Sequence, residues 1–123
     1  MSDKEKPQLE AGDPKALPTE LVVEDIIVGD GEEATPGANV EVHYVGVDYA
    51  DGAEFDSSWD RGQSISFPLR GLIQGWQDGI PGMKVGGRRK LIIPPALAYG
   101  EKGGFHPLAG KTLIFMIDLI DVK

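Results

Sequence analysis

The residues of this chain that could do chemistry do not form the usual catalytic groupings. There is no Gly-x-Ser-x-Gly turn to expose a serine nucleophile, and the pair Gly86-Gly87 lacks the Lys-Ser/Thr that completes a phosphate loop. No cysteine occurs, which removes thiolate nucleophiles, disulfides and thiolate metal sites. Two histidines, His43 and His106, are too few for a His-rich metal centre, so neither metal nor cofactor is expected. What remains is a set of aromatics near predicted loop ends: Tyr44, Phe55, Trp76, Tyr99, Phe105 and Phe115. One acid, Asp56, and one arginine, Arg61, stand beside them. Such a set suits an apolar cleft with few polar groups, built to hold and orient a ligand rather than to hydrolyse it.

These residues need elements to position them. The stretch from Gly71 to Gly100 is central. Leu72, Ile73, Trp76 and Ile80 fall on roughly one side of a short helix, with Gly71 at its start and Gly79 and Pro81 stopping it. A helix of about two turns is not stable alone, so Trp76 must pin it by packing. That indole reads either as a core anchor or as the floor of a shallow pocket. A glycine-punctuated turn, Gly82 to Gly87, leads to a strand at Arg88 to Ile93, which Pro94-Pro95 ends. A further loop carries Tyr99. The basic residues Lys84, Arg88, Arg89 and Lys90 read as a solvated strand face.

Earlier in the chain, Leu21 to Val28 is a strand candidate closed by Gly29-Asp30-Gly31. Val40 to Val47 alternates, with Val40, Val42 and Tyr44 on one face and Glu41 and His43 on the other. His43 therefore reads as an outward strand histidine rather than a base. Asp51-Gly52 marks a tight turn into a strand from Glu54 to Ser58. Trp59 to Gly62 loops out, and Ile65 to Leu69 is a brief edge piece. Leu113, Phe115, Ile117 and Leu119 form the apolar face of the last strand. The expected fold class is α+β, a twisted antiparallel sheet wrapped over one helix.

With 123 residues the chain is long enough for one domain with a real core. A net charge of −8 argues against nucleic acid, whose phosphates need a basic surface. No apolar run is long enough to span a membrane, and no apolar signal core opens the chain, so a cytoplasmic setting is expected. Residues 1–20 hold three prolines, eight charges and few apolar residues, and read as a flexible tail.

Read in order, the motifs resemble the FKBP-type peptidyl-prolyl cis-trans isomerases, the immunophilins that bind tacrolimus and rapamycin. The resemblance spans residues 21–123 and rests on Val42-His43-Tyr44-Val45-Gly46 and Phe55-Asp56-Ser57-Ser58. It continues in Gly75-Trp76 and Gly82-Met83-Lys84-Val85-Gly86-Gly87. Ile93-Pro94-Pro95, Leu97-Ala98-Tyr99-Gly100 and Thr112-Leu113-Ile114-Phe115 complete it. It implies a five- or six-stranded antiparallel sheet curled around the helix. It also implies roles, with Trp76 as cleft floor and Tyr44, Phe55 and Phe115 as aromatic walls. Ile73 would offer its backbone N–H, Tyr99 its phenol, and Asp56 its carboxylate, steadied by Arg61 and Tyr44. Leu72 and Ile65 would complete the rim; Ile65 stands where the family often has an aromatic. Phe105 and His106 lie in the loop from Glu101 to Lys111, where a substrate contact or a rim-shaping role is open. Trp59 either shields the cleft or projects into solvent.

The implied activity is rotation about X–Pro bonds during protein folding, on proline-containing peptides and unfolded proteins, by a monomer of the minimal single-domain form. The alternative is a module that binds proline peptides or macrolides and turns them over incidentally. A general chaperone fits less well, since no extended apolar module is present.

Overall fold

The computed structural model describes residues 5–101 and 103–123; the first four residues of the expected tail lie outside these. Six strands form one antiparallel sheet: β1 (Val22–Ile27), β2 (Asn39–Asp48), β3 (Glu54–Ser57), β4 (Ile65–Pro68), β5 (Arg88–Ile93) and β6 (Leu113–Val122). The order is β1-β5-β6-β2-β3, and β4 pairs with β2 as well. The two ten-residue strands, β2 and β6, lie side by side at its centre. One helix, α1 (Gln74–Gly79), crosses one face.

Strand alternation gives the sheet two apolar faces. On the inner face Val40, Val42 and Tyr44 of β2 join Leu91, Ile93, Leu113, Phe115, Ile117 and Leu119, with Trp76 and Ile80 of the helical segment packed against them. On the outer face Val45, Val47, Tyr49, Ile114 and Met116 form a second buried cluster, which Leu9, Trp59 and Ile92 cover. So the second face of the last strand, which carries Ile114 and Met116, is also partly core. Residues 5–20, expected to be flexible, form no helix or strand, yet the described part has contacts. Leu9 packs on the outer cluster, the Gly12 amide donates to the Tyr49 carbonyl (2.7 Å), and the Tyr49 hydroxyl donates to the carbonyl of Asp13 (2.8 Å).

Two local expectations need correction. The helix does not start at Gly71. That glycine belongs to a separate 3-10 turn, Leu69–Gly71, and Leu72 is extended (φ −108, ψ 173), which breaks the path before Ile73 caps the helix. Leu72 and Ile73 therefore precede the helix instead of lying on its side, and only Trp76 and Ile80 carry its apolar stripe. Of the basic run, Lys84 is exposed as expected, but Arg88 and Arg89 do not form a solvated face. Arg88 makes a two-pronged pair with Asp118 (2.6 and 2.9 Å), whose side chain is 1% exposed. Arg89 binds Asp25 (2.6 Å) and donates to the carbonyls of Gly79 (2.8 Å) and Pro81 (3.2 Å). It thus satisfies the acceptors that a short helix leaves open at its C-terminus.

Candidate active site: an aromatic cleft between sheet and helix

Trp76 occupies the centre of the site because its helix is too short to stand without it. Its ring is buried on the inner face. Three aromatic rings stand nearly perpendicular to it: Tyr44 from β2 (5.2 Å, 80°), Phe67 from β4 (5.7 Å, 87°) and Phe115 from β6 (5.2 Å, 90°). Phe55 from β3 meets Phe115 in the same way (5.6 Å, 90°). Edge-to-face contacts of this kind match the positive rim of one ring to the negative face of another. The indole N–H has no hydrogen-bond partner among the described residues.

The rings can approach this closely because β2 places Gly46 opposite Phe115. A Cβ there would lie 2.6 Å from the Phe55 ring and 2.8 Å from the Phe115 ring. The aromatics bound a cavity of about 110 Å³. Its lining is Tyr44, Phe55, Asp56, Phe67, Leu72, Ile73, Trp76, Tyr99 and Phe115. An apolar cavity of about 150 Å³ is known to take a benzene ring, so the space accepts a ring-sized group.

The polar groups are few and each has a place. The Tyr44 hydroxyl donates to one oxygen of Asp56 and Arg61 donates to the other. Arg61 also donates to the Tyr44 hydroxyl (3.0 Å), and its guanidinium lies 5.6 Å from the Tyr44 ring centre. The acid, the phenol and the cation close a triangle at the rim. Burial, followed by the Asp56 hydrogen bond, pushes the Tyr44 phenol above its ordinary value of 10.0. Tyr99 is raised too, chiefly by burial. Both phenols are therefore donors at neutral pH. The Tyr99 hydroxyl and the Ile73 amide have no acceptor among the described residues, and both residues line the cavity. Ile73 caps the helix with its backbone, not its side chain, and so its N–H remains available.

Of the residues singled out in the sequence, Tyr44, Phe55, Asp56, Leu72, Ile73, Trp76, Tyr99 and Phe115 come together in one cavity. Arg61 lies outside the lining and holds Asp56 from the solvent side. Ile65 packs at the edge of the inner core and does not line the cavity. The aromatic sought at Ile65 is supplied two residues later by Phe67, on the same face of β4. Strand period and the lone Phe of that edge piece were the available signals for it. Phe105 is fully exposed and lines nothing. The His106 ring stacks on Tyr99 (4.0 Å, 12°), and its Nδ1 accepts the Leu108 amide (3.0 Å), so it shapes the loop that carries the phenol's neighbour. Trp59 neither shields the cleft nor projects into solvent. It stacks on His43 on the outer face (4.9 Å, 14°). His43 itself bonds Ser58 through Nδ1 (2.7 Å), and burial holds it below its ordinary value of 6.5.

Among the described residues no three His, Cys, Asp or Glu side chains are grouped to hold a metal ion, and no helix is long and apolar enough to cross a membrane.

Comparison with known proteins agrees with this geometry. A family model described as FKBP-type peptidyl-prolyl cis-trans isomerase matches residues 30–120. A probable FK506-binding protein of Corynebacterium glutamicum is 67% identical over 116 residues, which cover 94% of this chain and 98% of that one. An FK506-binding protein of Streptomyces anulatus is 49% identical, with 96% and 98% covered. The crystal structure of FkpA from Escherichia coli superposes with a TM-score of 0.77 at 44% identity, over 84% of this chain and 48% of that one.

Proposed function

Since the chain belongs to the family of FKBP-type peptidyl-prolyl cis-trans isomerases, we propose that its aromatic cleft is where the X–Pro bond turns. The protein is an isomerase of that type; the assignment of roles within the cleft is our own. Rotation about an X–Pro bond is slow because amide resonance resists twisting, with a barrier of about 20 kcal/mol. No covalent bond breaks, so no nucleophile or strong base is required. Resonance is lost in the twisted state, and its carbonyl oxygen is less negative than in the planar amide. Water therefore favours the planar form, and a dry cleft favours the twisted one.

In this reading the pyrrolidine ring lies over Trp76, walled by Tyr44, Phe67 and Phe115. The Ile73 N–H receives a substrate carbonyl at the helix start, and the Tyr99 phenol donates from the opposite loop. Asp56 faces the turning amide, with Arg61 and Tyr44 fixing its carboxylate. An acceleration of about a millionfold needs about 8 kcal/mol of preferential stabilisation. Ring contacts alone supply too little, so the two donors must share the task. The observation that carries the proposal is that Ile73 and Tyr99, whose amide and hydroxyl have no partner among the described residues, line the same ring-sized cavity as Trp76.

The working form we propose is a cytoplasmic monomer. Residues 21–123 would form the isomerase domain. Its substrates would be proline-containing segments of unfolded proteins, with an apolar residue before the proline to match the rim. Macrolides such as tacrolimus (FK506), for which the relatives in Corynebacterium glutamicum and Streptomyces anulatus are named, would compete for the same cleft.

Removing each donor tests the assignment. Ile73 has φ −58 and follows an extended residue, so Ile73→Pro fits the backbone and deletes only the N–H and part of the side chain. We expect Ile73→Pro and Tyr99→Phe each to lower kcat/KM for a Leu-Pro peptide about tenfold, the worth of one hydrogen bond at a desolvated site, with Ile73→Val near wild type. Full activity in Ile73→Pro would remove the amide from the mechanism.

A further inference from the structure

Asp56 and Arg61 belong to one short stretch, Glu54 to Arg61, that leaves the sheet after Ser57. It is fastened at the buried Ser58, whose amide donates to the Tyr44 carbonyl (2.9 Å) and whose Oγ accepts the Tyr44 amide (2.7 Å). Beyond Ser58 it is held more loosely, with the Asp60 amide 3.3 Å from Ser57 Oγ and Gly62 donating to the Trp59 carbonyl at 3.0 Å. Further anchors come from the outer face. Trp59 lies on His43, and the Arg88 guanidinium is 5.8 Å from the Trp59 ring centre. Arg88, fixed by Asp118, also donates to the carbonyl of Glu5 (2.9 Å).

The next residue in the N-terminal segment is Lys6. Its ammonium sits 2.6 Å from Glu54 Oε1 and 2.8 Å from Asp60 Oδ1. Glu54 precedes Asp56 by two residues, and Asp60 is next to Arg61. One cation thus ties together the two ends of the stretch whose middle carries the cleft's acid. The Lys6 proton is held more tightly than usual, by Asp60 first and Glu54 second, and Lys6 keeps the Asp60 carboxyl below its usual range. Without the ammonium, two carboxylates would face each other across the mouth of the loop, and like charges at that range repel.

We propose that Lys6 is a positioning residue for the isomerase reaction: by neutralising Glu54 and Asp60, which would otherwise repel across the mouth of the loop, it keeps the loop closed, with Arg61 against Asp56 and Tyr44. Lys6 touches no substrate and acts through the loop. The inference rests on the reading of the cleft as the site of isomerisation. It gives the segment before the first strand a part in catalysis from the face of the sheet opposite the cleft.

The test is steady-state isomerisation of a Leu-Pro peptide at low salt by the full chain and four variants: Lys6→Met, Lys6→Arg, Asp60→Asn and Lys6→Met/Asp60→Asn. Lys6→Met should raise KM about three- to fivefold, the effect expected of an exposed ion pair, with kcat held within about twofold. Lys6→Arg and Asp60→Asn should stay near wild type. The double variant should return KM to within about twofold of wild type, because the repulsion is gone. Melting temperatures should agree within about 2 °C, as surface changes allow. An unchanged KM in Lys6→Met, or a double variant as poor as the single one, would overturn the proposal. A wild type that does not turn the peptide over would instead overturn the cleft reading, and this inference with it.

Discussion

Asp56 sits at the edge of an apolar cavity with both oxygens engaged, one by the Tyr44 phenol and one by Arg61. A carboxylate so held is fixed in orientation at the cavity mouth. Tyr44 and Tyr99 have phenols raised above 10.0, so both keep their protons across the neutral and mildly alkaline range. His43, held below 6.5, is neutral in the same range and lies on the other face. We therefore expect kcat/KM to vary by less than about twofold between about pH 7 and 9, measured with a constant-ionic-strength buffer series, because both phenols of the cleft stay protonated there. A bell-shaped profile in that window would point to acid–base chemistry. At this scale much of the site was legible, because motifs name Tyr44, Asp56, Trp76, Tyr99 and Phe115 directly. Phe67 was passed over for Ile65, its neighbour on the same strand face. Phe105 was counted as a contact because its type suits one, whereas exposure depends on how the loop turns.

The helix is the element on which the site depends. Its glycines let it sit down on β5: a Cβ on Gly75 would stand 2.5 Å from Ile93, and one on Gly79 would stand 2.7 Å from Leu91. Overpacking of this kind costs about 1–3 kcal/mol. We expect Gly79→Ala to lose about that much in urea unfolding and also to raise KM, since lifting the helix moves the Trp76 floor. A variant as stable as wild type would show that the seat has slack. Strands were readable from alternation and from the glycine and proline turns that bound them, down to their ends within a residue or two. The helix start was not, because Gly71 lies in a 3-10 turn and nothing local reveals that Leu72 is extended. The fates of Arg88 and Arg89 were also hidden. Their partners Asp118 and Asp25 lie on other strands, and only the register of the sheet brings them together.

Across the whole molecule, the sheet works as a two-sided wall. One face closes on the helix and leaves a ring-sized gap lined by aromatics; the other is covered by Trp59 and the N-terminal segment. Composition predicted that segment to be free, since it has few apolar residues. Composition does not register that Lys6 meets Asp60, 54 residues away, or that Gly12 meets Tyr49. The fold was legible because each local signal agreed with the sheet; the strap was not, because its contacts are long-range and mostly polar. The central claim is that a single apolar cleft turns the X–Pro bond without covalent chemistry. It is tested most directly by isomerisation of a Leu-Pro peptide, in a protease-free assay, by wild type, Asp56→Leu and Trp76→Leu, each shown to be folded by circular dichroism. The account predicts rapid turnover by wild type and a loss of about tenfold or more in each folded variant, the scale of a displaced catalytic group. Undiminished turnover in folded Trp76→Leu would contradict it, because the reaction would then proceed without the floor on which the cleft is built.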